Sequence, residues 1–169
     1  MATDQNDLIN LEIAPVTLET RHLFSEILEE ARSWQASRGS EGWNYPFDDN
    51  WMLPRIRRGE LYLAFLQSES VGAFRILWED VPFWGERETG DSIYLHTFAV
   101  RRDRAGQGIG PAIIERVAAM GRAHGRRNIR LDCALSSKRL IAFYERNGFI
   151  SSGTVFLGGM TMNLMEREI

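Results

Sequence analysis

Cysteine is all but missing from this chain of 169 residues: Cys133 stands alone, so no intrachain disulfide can form, and the composition suits a reducing compartment. No stretch is long and apolar enough to span a bilayer. The first residues, MATDQND, lack both the basic n-region and the apolar h-region of a secretion signal. The expected location is therefore cytoplasmic, with no membrane partner. Internal repeats, low-complexity tracts and linkers are also absent, so residues 1–169 read as one domain, long enough to bury a substantial core. Two phosphate-binding signatures are missing as well. Counting from Gly106, the sixth place is Pro111 where a dinucleotide fingerprint needs glycine, and no Gly-Lys-Ser/Thr sequence closes a Walker loop.

The net charge of −3 hides an uneven distribution. Residues 1–30 hold Asp4, Asp7, Glu12, Glu19, Glu26, Glu29 and Glu30 against Arg21 alone. Residues 101–130 hold eight arginines against Asp103 and Glu115. Such a basic run is either a solvated helix face or the seat of a polyanionic ligand. A nucleic-acid partner is not expected, because the run lacks the interleaved aromatics of a single-strand binder.

The basic run begins inside the stretch that organises the chain, YLHTFAVRRDRAGQGIG, from Tyr94 to Gly110. An alternating, β-branched and aromatic strand ends at Val100, and an arginine-rich connection follows. Gly106, Gly108 and Gly110 come next, and then a long amphipathic segment from Pro111 to His124. Strand, glycine loop and helix start present bare backbone N–H groups to an anion. The plainer alternative is a tight, glycine-rich turn.

Around this stretch the periodicities predict a strand over Leu8 to Ala14, then a helix from Leu18 to about Ser37, capped by Thr17 and ended by Gly39. Its apolar face would carry Phe24, Ile27, Leu28 and Ala31. Segment 40–58 is irregular and aromatic, with a short helix around Asp49 to Arg57 limited by Pro54. Leu61 to Gln67 and Val71 to Trp78 read as a hairpin joined by Ser68-Glu69-Ser70. Glu79 to Gly90 reads as a loop, and Ser92 to Val100 as the central strand. Past the glycines, Ile109, Ala112, Ile113, Val117 and Met120 form one stripe on a helix. Ile129 to Leu135 is a strand, Lys138 to Arg146 a helix capped by Asn147-Gly148, and Phe149 to Phe156 with Thr161 to Glu166 a closing hairpin around Gly158-Gly159. Cys133 falls in an inner strand, as a buried small hydrophobe rather than a nucleophile.

AVRRDRAGQGIG before a helix, LDC on a later strand and FYERNGF beyond it resemble the GNAT superfamily of N-acetyltransferases. That family's Gln/Arg-x-x-Gly-x-Gly/Ala signature falls on Ala105, Gly108 and Gly110, with Ala105 departing at the first place and Arg104 beside it. The resemblance implies an α/β (α+β) fold with a mixed, mostly antiparallel sheet of about seven strands. Helices would cover both faces, and the sheet would splay between strands 4 and 5. It implies acetyl-CoA as co-substrate, no metal, and direct attack by a primary amine in a ternary complex. The acceptor would be a small-molecule or protein amine. A homodimer is possible by the same resemblance, and a non-catalytic acyl-CoA sensor is the alternative.

Carried over residue by residue, the resemblance puts the pantetheine arm on the free backbone of Phe98, Ala99 and Val100. The pyrophosphate falls on the N–H groups of Ala105, Gly106, Gln107, Gly108, Ile109 and Gly110, with Arg104 nearby. Tyr144 matches the phenol that protonates the departing thiolate. Ser137 stands where many relatives have a pantetheine-binding Asn. His96 is the candidate base: YLHTFAV resembles the HLHVLAV strand of the serotonin N-acetyltransferase branch, with Tyr94 in place of its first histidine. For the acceptor, Trp34, Trp43, Tyr45 and Trp84 either cradle an amine or simply cover the sheet, and Glu79 and Asp80 offer negative charge.

Overall fold

The computed structural model describes residues 10–39 and 42–169. Its strands are β1 (Glu12–Pro15), β2 (Leu61–Leu66), β3 (Glu69–Leu77), β4 (Ser92–Val100), β5 (Asn128–Ala134), β6 (Ile150–Leu157) and β7 (Met160–Glu168). They form one seven-stranded sheet in the order β1-β2-β3-β4-β5-β7-β6. Every neighbouring pair is antiparallel except β4 and β5, which run parallel. The helices are α1 (Arg21–Ser37), α2 (Asp49–Arg57), α3 (Val81–Trp84), α4 (Ile109–Ala123) and α5 (Lys138–Arg146).

Alternation along the strands sorts the core into layers. Val71, Phe74, Ile76, Ile93, Leu95, Ile129, Leu131 and Cys133 face α4 and α5, where Ile113, Ile114, Val117 and Tyr144 meet them. Leu61, Leu63, Ala73 and Ala99 face the other way, against Phe24, Ile27, Leu28 and Ala31 of α1 and Met52 of α2. Each of these large side chains contributes roughly 2 kcal/mol on burial. The expected apolar face of α1 is thus the one buried.

Several local expectations need correction. Leu8 and Ile9, the expected start of the first strand, lie outside the described residues, and strand geometry begins at Glu12 and includes Pro15. Thr17 does not cap α1: its hydroxyl accepts from Thr20 N–H and its own N–H donates to Thr20 Oγ1, closing a turn ahead of the helix. The β2–β3 turn falls one residue earlier than Ser68-Glu69-Ser70. Gln67 and Ser68 both take positive φ, the backbone a two-residue hairpin turn requires, and Glu69 and Ser70 already pair in β3. The segment from Glu79 to Gly90 contains α3 and a 3₁₀ turn, Gly85–Arg87.

The irregular segment before α2 is pinned rather than loose. Phe47 is buried, with its N–H given to Glu29 Oε1 at 2.8 Å and its carbonyl accepting from Ser25 Oγ at 2.8 Å. Trp43, Tyr45 and Trp51 pack edge-on around its ring at 5.0–5.4 Å between centroids. Asp48 then caps α2 by accepting from Trp51 N–H at 3.0 Å.

Two features at the centre of the sheet set the geometry of its two faces. β4 and β5 pair only from Ser92 to Tyr94 against Asn128 to Arg130, so the sheet opens from residue 95 onward, as a splay between strands 4 and 5 predicts. β4 also bulges against β3: His96 opposes Arg75 and Ala99 opposes Ala73, leaving Thr97 and Phe98 against one residue. Thr97 takes φ 48°, a strained value for a β-branched residue. The extra residue reverses the alternation. Ile93 and Leu95 face α4, and so do Phe98 and Val100, while His96 and Ala99 face the α1 side.

Candidate active site

The opened end of β4 borders a groove of about 550 Å³. Phe98, Ala99, Val100, Arg104, Ala105, Gly106, Gly108, Ile109, Gly110 and Tyr144 all line it, as do Trp34 and Trp43 from the α1 side. Gln107 and Ser137 do not. Gln107 is exposed and donates its side-chain amide to Asp103 O, while Ser137 forms the N-cap of α5. The structure adds Arg102, Pro111, Leu140 and Phe143 to the wall, of which Arg102 and Phe143 lie within the quoted motifs.

Free main-chain donors concentrate at one side of this groove. Among the described residues, the N–H groups of Gly106, Gly108, Ile109 and Gly110 meet no protein acceptor, while Gln107 closes the turn over Ala105 and Gly106. Ala105 is different as well, since its N–H is spent on Arg102 O at 3.2 Å, which removes it from the expected set. Gly108 is the N-cap of α4 at φ 79°, a conformation that strains any residue with a Cβ. A Cβ on Gly110 would stand 3.1 Å from Phe143, narrowing the groove between Phe143 and Phe98. Free amides at a helix N-terminus, beside glycines that keep the backbone bare, fit a diphosphate. Arg104 lines the groove and gives Nη2 to Glu69, which leaves its other N–H donors unengaged by that pair.

His96 lies on the far side of β4, in a cluster of its own. Its Nε2 is 2.9 Å from Asp80 Oδ2 and its Nδ1 is 3.4 Å from Asp132 Oδ1. Asp80, just before α3, is buried, and Asp132, in the middle of β5, nearly so. Parallel register explains the second contact: Tyr94 pairs with Arg130, so the residues two further along face each other across the gap. Only the Asp80 contact is a hydrogen bond, and Asp132 Oδ1 is buried with no hydrogen-bond partner, facing Nδ1 across the gap. Burial and the nearby charge of Asp80 push the Asp132 carboxyl up to about 6, against the pull of His96. The ligand atoms of the three residues lie within 4.8 Å of one another, close enough for a divalent ion. Because the two carboxylates take opposite ring nitrogens, whose lone pairs diverge, the arrangement suits proton sharing more than ligation.

Tyr144 is buried between Phe143 and Phe149 at the groove wall, and burial pushes its phenol far up, so it holds its proton. Cys133 is buried with its thiol raised to about 12, as an inert packing residue. Tyr94, at the place of a first histidine, is a core anchor. Its hydroxyl accepts from Arg130 Nη1 at 3.1 Å.

The expected acceptor residues separate. Trp34 and Trp43 border the groove, with the Arg102 guanidinium 3.9 Å from the Trp34 ring centroid. Tyr45 joins the Phe47 aromatic cluster, Glu79 is exposed, and Asp80 serves His96. Trp84 is corrected: it is buried against Tyr94 and Leu164 with Arg130 stacked on it, so its ring covers the sheet and offers no face to an acceptor. Sequence reasoning missed Asp132 as a partner of His96. The available signal was a carboxylate in the middle of an otherwise apolar strand, NIRLDCA.

Comparison with known proteins bears on this geometry. Residues 21–149 match the model of the Acetyltransferase (GNAT) family. An uncharacterized N-acetyltransferase, YesJ, from Bacillus subtilis is 30% identical over 164 residues, covering 92% of this chain and 88% of that protein. Among solved structures, a GNAT-family acetyltransferase from Listeria monocytogenes superposes with TM-score 0.78 at 25% identity, over 94% of this chain and 95% of that one. The PaiA N-acetyltransferase of Thermoplasma acidophilum, solved in complex with coenzyme A, shares the fold with TM-score 0.73 at 17% identity, over 94% of this chain and 99% of its own.

Proposed function

The chain belongs to the acetyltransferase (GNAT) family, and from that premise we propose that it transfers acetyl from acetyl-CoA to a primary amine by direct attack in a ternary complex. The observation that carries this reading is the division of labour along one strand. β4 places Phe98 to Val100 on the groove and, two residues earlier, His96 on the opposite face between two carboxylates.

Bound, acetyl-CoA supplies the acetyl group as a thioester. The N–H groups of Gly106, Gly108, Ile109 and Gly110 hold its diphosphate, where the α4 dipole favours negative charge. The edge of β4 beyond Tyr94, which has no strand partner toward β5, pairs with the amides of the pantetheine arm. A main-chain N–H in Phe98 to Val100 polarises the acetyl carbonyl. His96 takes the proton that the ammonium form of the acceptor must lose before its nitrogen can attack. Asp80 holds the ring in place through Nε2, with Asp132 beside Nδ1. The nitrogen then gains the acetyl group as the carbon–sulfur bond breaks; the Tyr144 hydroxyl supplies the proton that the departing sulfur needs, and the second proton shed by the acylated nitrogen restores that hydroxyl.

The test is thiol release from acetyl-CoA over an amine panel, with Tyr144→Phe beside the wild type. Acetyl transfer with kcat lowered on the order of 10-fold or more in the variant supports the reading. Undiminished kcat removes Tyr144 as the acid. Thermal stabilisation by acetyl-CoA without turnover on any amine marks a binding module instead.

A further inference from the structure

Arg55 carries a charge that the fold leaves uncompensated. It stands on α2 with its guanidinium carbon 4.1 Å from the Trp51 ring centroid, and its Nη1 donates to Trp51 O at 2.7 Å. Its Nε is buried without a hydrogen-bond partner. Among the described residues no carboxylate reaches it. Every other partly or fully buried arginine there is ion-paired except Arg126, which lies over Trp78 just ahead of β5. The one carboxylate that acts on Arg55 is Glu60, which already binds Arg75 at 2.8 Å and Arg58 at 2.5 Å. Three guanidiniums therefore share a single acid. A partly desolvated cation with no counter-charge is costly, and a site that keeps one gains by receiving an anion.

The position of Arg55 says which anion. Arg75 opposes His96 across the β3–β4 ladder, on the α1 face of the sheet. The Tyr45 hydroxyl feels the charges of Arg55, Arg75 and Asp132, which places all three near it. The region on this face is therefore polar in two senses: acidic at His96, where an ammonium would arrive, and basic at α2. A simple alkylamine or a polyamine complements only the first end.

We propose that Arg55 receives an oxyanion, carboxylate or phosphoryl, carried by the acceptor at the end remote from its amine, so that the preferred substrates are zwitterionic amines. This rests on the reading of the protein as an amine acetyltransferase. A guanidinium meets either oxyanion with paired N–H donors, and a lysine cannot reproduce that fork.

The experiment compares acetylation of butylamine and spermidine with that of an ω-amino acid series from glycine to 6-aminohexanoate, and of phosphoethanolamine. The wild type is expected to favour at least one anionic amine over butylamine by 10-fold or more in kcat/KM. In Arg55→Met that ratio falls toward one, chiefly through KM, and Arg55→Lys restores part of it. Whether the amino acid series or phosphoethanolamine carries the preference separates carboxylate from phosphoryl. A flat response across all the anionic amines, or a ratio that survives in Arg55→Met, overturns the proposal and leaves acetyl transfer standing. Melting of the coenzyme A complex gives a readout without turnover. If no amine is acetylated yet an anionic amine raises the melting temperature of the wild type and not of Arg55→Met, the oxyanion site stands and the catalytic reading falls. If there is neither turnover nor a shift, both fall.

Discussion

The two faces of β4 are built in different ways. On the groove side the working groups are main-chain amides between Gly106 and Gly110, held by a local turn and the start of one helix. On the other side the working groups are side chains from separate elements: His96 on β4, Asp80 before α3, Asp132 on β5 and, by inference, Arg55 on α2. A backbone site depends on conformation and tolerates many side chains. A side-chain cluster depends on identity, and each member can be changed without rebuilding the loop.

That contrast can be broken most sharply at His96. His96→Gln is expected to lower kcat on the order of 100-fold or more while leaving the KM for acetyl-CoA within about twofold. Initial rates against acetyl-CoA at saturating amine measure both, and a matched rise in that KM would mean the faces are not independent. The converse is Gly108→Val, which puts a β-branched residue at φ 79° in the mouth of the groove. Here the KM for acetyl-CoA should rise roughly 10- to 100-fold, read by titration of the cofactor, with the amine's own KM little changed.

The smallest effect sharpens the chemistry within the acceptor face. The Asp132 carboxyl is raised to about 6 in the folded chain, against an ordinary value near 3.8. The folded state therefore binds the proton more tightly than the unfolded one, and stability is lost as pH rises from about 4 through about 6. Asp132→Asn should remove that loss, raising the melting temperature at pH 8 by a few degrees, for roughly 1–2 kcal/mol, with the gain fading toward pH 4. The same variant should be several-fold slower in acetyl transfer. A scan of melting temperature against pH checks the first expectation, and a pH-independent gain would show that Asp132 does not hold a displaced proton.

Legibility in the sequence divides along the same line. Ser92–Val100 and Lys138–Arg146 are readable to the residue, because alternation and a clean Asn147-Gly148 stop are local signals. The glycine loop is legible as a strand-to-helix connection, but α4 starts at Ile109 rather than Pro111, because the first helical residues carry no stripe signal of their own. The β2–β3 turn is displaced by one because Gln67 carries no turn signature, yet adopts positive φ under the pull of the two strands. The bulge at Thr97 is hidden for a stronger reason: a β-branched residue is the last expected at φ 48°, and only the paired strands on either side hold it there. The Asp132–His96 contact requires knowing the parallel register of two strands separated by a whole helix. Trp84 and Trp34 look alike as sequence, but one is sealed under Arg130 and the other borders a groove.

The bulge reaches beyond its own geometry. By reversing the parity of β4 at a single residue, Thr97 acts as a partition between the side chains packed on α4 and those that stand with His96. Excising that one residue would turn the last part of the strand inside out, sending Phe98 and Val100 away from α4.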